Sequence, residues 1–370
     1  MIRKSVNLLS PYTPGEQPKI PGIIKLNTNE NAYPPSPKVA EALRNFDLSR
    51  LARYPDPMCV KLRERIYELD ILSSTAAKPP TAPPLGGVFV GNGSDEVLRL
   101  MVDAFVENNG AVAYFNPSYS LYPVLTDIRE ARRVEIPLPR PENFVAETLA
   151  VLKREKPDLL FIANPNAPTS EFFPRDAIRE ICMNFDGVVV IDEAYALFAE
   201  DNCVPLALTL PNAIVARTLS KAWSLAGLRL GYAIGPEPLI SALYKIKDSY
   251  NVDFLAQVVA EAALSDPEWM LANRAKIIAT RERVATELRK RGWQCPDSAT
   301  NFLWASPPGA AHSAAATTKT HSAAATIEVY EKLKSRNIFV RYFPAAATAD
   351  FIRITIGTDA EMDAFLAALD

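Results

Sequence analysis

Histidine is scarce in this chain of 370 residues, where only His312 and His321 occur. Both lie in the low-complexity stretch GAAHSAAATTKTHSAAAT. We therefore expect neither a catalytic histidine nor a histidine-rich metal centre, and we predict no metal site. If the chain is an enzyme, its proton transfers must rely on lysine, tyrosine or carboxylate side chains.

Several other features are missing. The net charge is −3, and no Lys/Arg run forms a stripe suited to a nucleic-acid backbone. No apolar stretch approaches the about 20 residues of a membrane span, and the opening MIRKSVNLLSPYTPG lacks the apolar core of a signal peptide. The four cysteines are scattered without a CxxC pair, as in reduced proteins. These absences predict a cytoplasmic protein without a nucleic-acid or membrane partner.

The length of the chain predicts two domains preceded by an arm. Residues 1–37, rich in proline and asparagine, are expected to form the extended arm. In residues 38–265, continuous apolar runs alternate with helical patterns, which predicts a large α/β domain. Its mainly parallel, mixed sheet would be covered by helices on both faces, as a three-layer sandwich. Residues 266–370 combine long helical patterns with isolated strands and predict a smaller α+β domain.

Two low-complexity stretches are interpreted as insertions. Residues 71–87, ILSSTAAKPPTAPPLGG, are rich in proline and alanine and are expected to form an exposed loop. Residues 308–326 contain a near repeat of HSAAAT and are expected to be flexible. An alanine-rich helix is the alternative for the second stretch, although its capping signals are poor.

Lys221 is the first candidate for chemistry. It lies in TLSKAWSLAGLRLGY, after a predicted strand and among hydroxyls and small residues. Desolvation there would lower the pKa of the lysine and make it a nucleophile toward carbonyl groups. A single lysine is more often an ordinary turn residue, but Ser220 and Arg229 add the hydroxyl and guanidinium of an anion site.

Asp192 is the second candidate, because VVVIDEAY places an acid at the end of an apolar strand. Such an acid is costly unless it meets a cation. Asp192 and Lys221 are separated by about one strand-to-strand connection, so their strand ends can share one cleft. Tyr195, three residues after Asp192, can supply a phenol to the same cleft.

The stretch GNGSDE at 91–96 is the third candidate. Glycines followed by Ser94 and Asp95 at a helix start present backbone amides to an anion. Alone, this pattern is more often a plain helix cap. Tyr119, after the next strand, can stack on a planar ligand, and a packed surface tyrosine explains it equally well.

Together these candidates suit one ligand. It has a phosphate, a carbonyl for Lys221, a cationic ring nitrogen for Asp192 and a ring oxygen for Tyr195. Pyridoxal 5′-phosphate has all four groups, and a lysine Schiff base with an acidic partner for the pyridinium is its usual mode of binding.

The motifs that carry these residues resemble those of the fold-type I pyridoxal-phosphate-dependent aminotransferases, and among them the histidinol-phosphate aminotransferases. The motifs occur in the family's order over roughly residues 8–360, outside the two insertions. They are LNTNENAYPPSP, RYPDP, GNGSDE, NPNAPTS, IDEAY, TLSKAWSLAGLRLGY and IRITIGT.

The resemblance implies a role for each residue that holds the cofactor. Lys221 forms the internal aldimine and moves the substrate proton, Asp192 keeps the pyridine nitrogen protonated, and Tyr195 hydrogen-bonds the ring oxygen. Tyr119 stacks on the ring. The cofactor phosphate is held by Ser94, Asp95, Thr218, Ser220 and Arg229.

The resemblance also implies a substrate and a partner. Arg353 would receive either the α-carboxylate of glutamate or the phosphate of histidinol phosphate. Tyr12, Asn29 and Arg341 would assist it, although Arg341 is equally explained as a solvated charge at a strand end. Tyr54 of RYPDP would reach the cofactor phosphate of a second subunit, which implies a homodimer with shared active sites. The implied reaction is a ping-pong transfer of the amino group between histidinol phosphate and 2-oxoglutarate, in histidine biosynthesis.

The sequence departs from the family at NPNAPTS. The family's usual form is NPNNPTG, so Ala167 stands where an asparagine contacts the ring oxygen, and Ser170 stands in place of glycine. Either Asn166 takes over the contact or Tyr195 holds the ring oxygen alone. One donor fewer would raise the pKa of the aldimine.

Three alternatives remain open. Two keep the fold: an aromatic or broad-specificity aminotransferase, and a threonine-phosphate decarboxylase. The third is a cofactor-binding regulator without activity. Such regulators normally carry a DNA-binding domain, and neither a helix-turn-helix pattern nor a basic segment is evident.

Overall fold

The computed structural model describes residues 1–9, 15–71, 85–310 and 322–370. Tyr12 and most of the two predicted insertions lie outside these ranges. A helix begins at Ser322, so the prediction of a flexible segment is wrong for residues 322–326, where the alternative of an alanine-rich helix holds. Alanine is the strongest helix former, and the buried Thr326 hydroxyl anchors this first turn by donating to the Asp350 carbonyl at 2.9 Å.

The strands and helices follow the alternation that the sequence predicts. The strands are β1 Ile24–Leu26, β2 Val88–Gly91, β3 Ala111–Asn116, β4 Arg132–Pro137, β5 Leu159–Ala163, β6 Val188–Asp192, β7 Ala213–Thr218, β8 Gly231–Ile234, β9 Phe302–Ala305, β10 Ile338–Tyr342 and β11 Ile352–Thr355. The α-helices are α1 Lys4–Leu8, α2 Pro37–Arg44, α3 Val60–Ile66, α4 Gly93–Phe105, α5 Leu121–Ile128, α6 Phe144–Glu155, α7 Arg175–Met183, α8 Val204–Thr209, α9 Glu237–Ile246, α10 Phe254–Leu264, α11 Pro267–Lys290, α12 Ser322–Ser335 and α13 Asp359–Ala368. A π-helical turn, Tyr67–Ile71, continues α3, and short 3₁₀ turns occur at Leu48–Ala52, Leu85–Gly87, Pro141–Asn143, Ala196–Phe198 and Ala226–Leu228.

The larger sheet has seven strands in the order β2-β8-β7-β6-β5-β3-β4. Strand β8 runs antiparallel to both of its neighbours, and the other pairs are parallel. The predicted mainly parallel, mixed sheet is confirmed. Its strand order reverses around β3 and β5, and open α/β sheets place their ligands at the carboxyl ends of strands near such a reversal.

Both faces of this sheet are buried, as strand β3 shows. Ala113 and Phe115 pack in one core with residues of α6 and α7, whereas Val112 and Tyr114 pack in a second core with residues of α4 and α5. Successive side chains of a strand point to opposite faces, so a strand between two cores must be apolar throughout. The helix–sheet–helix sandwich therefore explains the unbroken apolar runs.

The smaller sheet has the order β1-β10-β11-β9. Strands β9, β10 and β11 come from the predicted C-terminal domain and pair antiparallel, while β1 pairs parallel with β10. The predicted arm, 1–37, is thus not wholly extended beside the domains: it contributes helix α1 and the edge strand of this sheet. The boundaries 1–37, 38–265 and 266–370 themselves stay a prediction.

Two glycines allow β8 to approach the start of α4. A Cβ on Gly231 would stand 2.4 Å from the backbone nitrogen of Ser94. Gly93 has a φ of +83°, and a Cβ there would stand 2.8 Å from Nη2 of Arg229. The amino end of α4 can lie close to β8 and Arg229 because side chains are missing at both positions.

We expect Gly231→Ala to lower the free energy of unfolding by about 1–3 kcal/mol, because backbone atoms of α4 cannot move aside as a flexible side chain would. The matched control is Gly227→Ala, where a Cβ would meet nothing within 4 Å. Urea unfolding of the two cofactor-free variants measures the difference. Equal stability of the two variants would contradict the close approach.

Candidate active site

A cavity of about 240 Å³ lies at the carboxyl ends of the parallel strands. The larger sheet contributes Asp192 at the end of β6 and Thr218 at the end of β7, and α4 adds its first turn. The smaller sheet closes the opposite side with residues of β10 and β11. Twelve predicted site residues border this one cavity: Asn29, Ser94, Asp95, Tyr119, Asp192, Tyr195, Thr218, Ser220, Lys221, Arg229, Arg341 and Arg353.

Asp192 carries its carboxylate in a buried setting at the base of the cavity. Tyr122 donates a hydrogen bond to its Oδ2 at 2.9 Å, and the backbone N–H of Ala194 donates to its Oδ1 at 3.1 Å. Burial raises the pKa of Asp192 to about 6, and these two donors oppose the rise. The carboxylate is therefore poised to take a cation, and a protonated ring nitrogen is such a group.

Glu193, the next residue, points the other way. It forms an ion pair with Arg217 at 2.7 Å, and Arg217 forms a second ion pair with Asp70 at 2.7 Å. All three side chains are largely buried. A buried acid needs such a cation, because breaking a buried ion pair costs about 3–5 kcal/mol. Of the two acids in IDEAY, Glu193 thus holds strands together and Asp192 faces the cavity.

Lys221 projects its amine into the cavity, 3.3 Å from the carbonyl oxygen of Thr28. Burial, followed by the positive charge of Arg353, lowers the pKa of Lys221 to about 8. Asn31 holds the lysine loop by donating to the carbonyl oxygens of Lys221 and Ala222 at 3.0 and 3.3 Å. The lysine therefore has an accessible neutral form near neutral pH, as a nucleophile or proton carrier requires.

The predicted phosphate donors are gathered beside the amino end of α4. The Thr218 hydroxyl donates to Ser220 Oγ at 2.9 Å, and Arg229 reaches the same oxygen at 3.4 Å. Asp95 accepts from Arg229 at 3.2 Å and from the Tyr119 hydroxyl at 3.1 Å. The Asp95 carboxylate thus orients two neighbours, and the amides at the start of α4 and the nearby hydroxyls are groups that can bind an anion.

Asn166 does not border the cavity within the described part of the chain. Its Oδ1 accepts from Ser118 at 2.7 Å, and its Nδ2 donates to the Pro117 carbonyl at 3.1 Å and to Thr169 Oγ1 at 2.8 Å. Both amide hydrogens are therefore used, one within the loop and one toward the segment after β3, and Ala167 borders the cavity instead. The prediction that Asn166 replaces the missing donor is not supported by this geometry, which leaves the other alternative, Tyr195.

Arg341 and Arg353 stand directly opposite each other on the antiparallel strands β10 and β11. Both border the cavity, and each guanidinium lies 5.3 Å from the centre of the Phe343 ring. A planar guanidinium can bind a carboxylate or a phosphate through two N–H groups. The position of Arg341 on the cavity wall, opposite Arg353, therefore fits a residue of the site better than a solvated charge at a strand end.

Tyr54 lies away from this cavity. Its side chain is 78% exposed and stacks on Tyr250 with 4.3 Å between ring centres. Among the described residues there is also no group of three or more His, Cys, Asp or Glu side chains that could hold a metal ion. No helix within the described ranges is long and apolar enough to cross a membrane.

Comparison with known proteins assigns the family. A family model described as aminotransferase class I and II matches residues 21–369. The chain belongs to this family. Histidinol-phosphate aminotransferase 1 of Nostoc sp. is 39% identical to this aminotransferase over 100% of the chain and 97% of the relative.

Solved structures agree on the fold. Histidinol-phosphate aminotransferase from Sinorhizobium meliloti, in complex with pyridoxal-5′-phosphate, has a TM-score of 0.81 and 26% identity, over 94% of this chain and 89% of that chain. L-threonine-O-3-phosphate decarboxylase from Porphyromonas gingivalis has a TM-score of 0.76 and 18% identity, over 94% of this chain and 98% of that chain. At that identity the decarboxylase shares the fold alone.

The aminotransferase uses pyridoxal 5′-phosphate, and the cavity fits this cofactor. An anion site at the start of α4, a buried carboxylate at Asp192 and an amine at Lys221 match its phosphate, ring nitrogen and aldehyde. Tyr119 also borders the cavity, where its ring can stack on a planar ligand. The donor set therefore suits each polar end of the cofactor.

Tyr122 contacts a candidate site residue but was not predicted from the sequence. It is fully buried, stacks on Phe161 with 4.4 Å between ring centres, and holds Asp192. The signal was present: NPSYSLY repeats tyrosine at a spacing of three, one helical turn apart. The second tyrosine of this pair faces the core, where only its hydroxyl reaches the site.

We expect Asp192→Asn to abolish transamination and yet to stabilise the cofactor-free protein near neutral pH. In the folded protein the pKa of Asp192 is about 6, above its ordinary value of 3.8. The contribution of Asp192 to the free energy of unfolding is therefore fully present below pH 3.8, and it is lost as the pH rises through 6 and the buried carboxyl ionises. Asparagine avoids this loss, which amounts to about 1–3 kcal/mol.

Thermal unfolding of the cofactor-free proteins at about pH 4.5 and about pH 7.5 measures the effect. The variant should gain on the wild type as pH rises between the two conditions. A constant difference would show that Asp192 does not carry a raised pKa.

Proposed function

We propose that this aminotransferase transfers an amino group between histidinol phosphate and 2-oxoglutarate, as in histidine biosynthesis. The observation that carries the proposal is the pair of arginines, Arg341 and Arg353, side by side on the cavity wall. The curated relatives named for histidinol phosphate, including the one from Nostoc sp., support the same substrate.

Two arginines suit a substrate pair in which one member is a phosphate monoester. A phosphate monoester carries a charge of about −1.5 to −2 near neutral pH, against −1 for a carboxylate. The planar guanidinium binds either oxyanion through two N–H groups. Arg353 would hold the α-carboxylate of glutamate, and both arginines would hold the phosphate of histidinol phosphate.

The residues around the cofactor would divide the proton transfers. Bound pyridoxal phosphate supplies an electron sink for the carbanion at the substrate carbon. Asp192 holds the proton on the ring nitrogen, and Tyr195 donates to the ring oxygen. Lys221, with a pKa of about 8, would accept the proton from the amine-bearing carbon of the substrate and donate it onward in the same half-reaction, and the second half-reaction would run in the opposite direction. The Thr28 carbonyl keeps its amine in the cavity between these steps.

We also propose that the active enzyme is a homodimer in which Tyr54 completes the site of the partner subunit. Tyr54 cannot serve the cavity of its own chain, since it is exposed and outside it. Exposed apolar side chains in the segment around Tyr54, and Tyr250, which stacks on it, support an interface there. The side chains of that segment are Leu43, Leu48, Leu51 and Met58.

The substrate proposal is tested on the purified, cofactor-loaded enzyme. Histidinol phosphate, glutamate and phenylalanine are added separately, and the visible absorbance of the bound cofactor is followed. We expect histidinol phosphate and glutamate to convert it fastest, and Lys221→Ala to lose both the band and turnover. Faster conversion by phenylalanine would favour a broad-specificity enzyme, and release of CO₂ from threonine phosphate would favour the decarboxylase.

The role of Arg341 is read from the same assay. We expect Arg341→Ala to weaken the binding of histidinol phosphate about 10–100-fold, because a hydrogen bond to a charged group contributes about 1.5–3 kcal/mol. Glutamate is the internal control and should lose less. Equal losses for both donors would place Arg341 outside the phosphate site.

Shared sites are tested by mixing two impaired chains, Lys221→Ala and Tyr54→Ala, under conditions that exchange subunits. In a hybrid dimer one site has both Lys221 and Tyr54. Random assortment should restore about a quarter of the wild-type activity, since about half of the dimers are hybrids with one intact site. An activity equal to the mean of the two parents would refute the sharing.

A further inference from the structure

Asn29 borders the cavity but does not present its amide to a substrate. The residue is 1% exposed, and its side chain is held at both ends. Its Nδ2 donates to the Tyr195 hydroxyl oxygen at 2.8 Å, and its Oδ1 accepts from Thr355 Oγ1 at 3.1 Å. The prediction that Asn29 contacts the substrate therefore does not match the contacts that its side chain makes.

The backbone of Asn29 is held as firmly. Its N–H donates to Thr355 Oγ1 at 2.9 Å, and its carbonyl oxygen accepts from Asn301 Nδ2 at 3.0 Å. Its φ of 54° lies in the left-handed region, which asparagine tolerates better than most residues. Thr355 on β11 and Asn301, directly before β9, thus fix the position of the Asn29 side-chain amide.

These contacts set the direction of the amide. The Thr355 hydroxyl oxygen accepts from the Asn29 backbone N–H, and the same hydroxyl donates its proton to Oδ1 of Asn29. The carbonyl end of the amide then faces Thr355, and its NH₂ end faces Tyr195. The Tyr195 oxygen receives a hydrogen bond from Asn29, so its own proton is left for the cavity.

The opposite orientation would have the opposite effect. An acceptor at this position would take the Tyr195 proton and leave only lone pairs toward the cavity, where they would repel an oxyanion. Ala167, which also borders the cavity, cannot donate in place of Tyr195, because its side chain has no polar atom. The polarity of one buried amide therefore decides whether Tyr195 acts as a donor.

The geometry points to Asn29 as a positioning residue that makes Tyr195 a hydrogen-bond donor to the ring oxygen of the cofactor. This inference rests on the proposed role of Tyr195 and adds the group that enforces it. Asn29 acts through Tyr195 and touches neither substrate nor reacting atoms. Thr355, which orients the amide, is the second member of this Thr355–Asn29–Tyr195 relay.

The test is a pH titration of the visible absorbance of the bound cofactor in four proteins: wild type, Asn29→Gly, Tyr195→Phe and the double variant. Glycine accepts the left-handed backbone, so it removes the amide without strain. We expect Asn29→Gly to raise the titration midpoint by about one pH unit, because an oriented donor to the anionic ring oxygen is lost. Tyr195→Phe should raise the midpoint at least as much, and the double variant should match Tyr195→Phe.

Two controls separate positioning from general disruption. Asn109→Gly makes the same substitution at another left-handed asparagine, φ 63°, in an exposed turn, and should leave the midpoint unchanged. Thr355→Val should raise the midpoint as Asn29→Gly does, whereas Thr355→Ser, which keeps the hydroxyl, should preserve it. The Thr355 pair also decides the question if Asn29→Gly does not fold.

An unchanged midpoint in Asn29→Gly, or a full additional shift in the double variant, overturns the inference. The titration needs bound cofactor but no substrate. Failure of the wild type to use histidinol phosphate would therefore sink the proposed function and leave the midpoint shifts intact. Normal turnover without any midpoint shift would sink the Asn29 assignment alone.

Discussion

The buried carboxylate of Asp192 is the constraint around which the rest of the active site is arranged. A charge at the end of an apolar strand is unfavourable, and burial raises the pKa of this carboxyl to about 6. Tyr122 and the Ala194 amide offset only part of that cost. In the proposed function, the protonated ring nitrogen of the cofactor would offset the rest of that cost. The anion site at the start of α4 and the loop that carries Lys221 would then hold the cofactor beside this carboxylate.

The site joins parts of the chain that are far apart in sequence. The large sheet supplies the acid, the lysine and the anion cradle, while β10 and β11 supply two arginines. The segment after β1 lies between them, where Thr28 contacts Lys221 and Asn29 contacts both Tyr195 and Thr355. The N-terminal arm therefore forms part of the candidate active site, and the pairing of β1 with β10 holds it there.

Much of the fold and of the candidate site could be predicted from the amino-acid sequence. The periodicity of the strands indicated a mainly parallel sheet, since strands buried on both faces must be apolar throughout. Lys221, Asp192 and Arg229 were identifiable because each has a chemical reason to follow a strand or a turn. Asn166 was harder: the motif NPNAPTS shows which side chain is missing, but not where a neighbouring amide will donate. Its hydrogens serve Pro117 and Thr169, partners that become visible only when the loop is folded.

The amino-acid sequence by itself determined the class of fold, the cofactor and the candidate groups of its site, because residue type and spacing limit what each segment can do. Tertiary structure alone decided which polar groups face the cavity. Local sequence does not determine the direction of a hydrogen bond, because that direction depends on partners hundreds of positions away. Thr355 orienting Asn29, and Asn29 orienting Tyr195, is such a case. The opposition of Arg341 and Arg353 is another, because strand register is a property of the paired sheet.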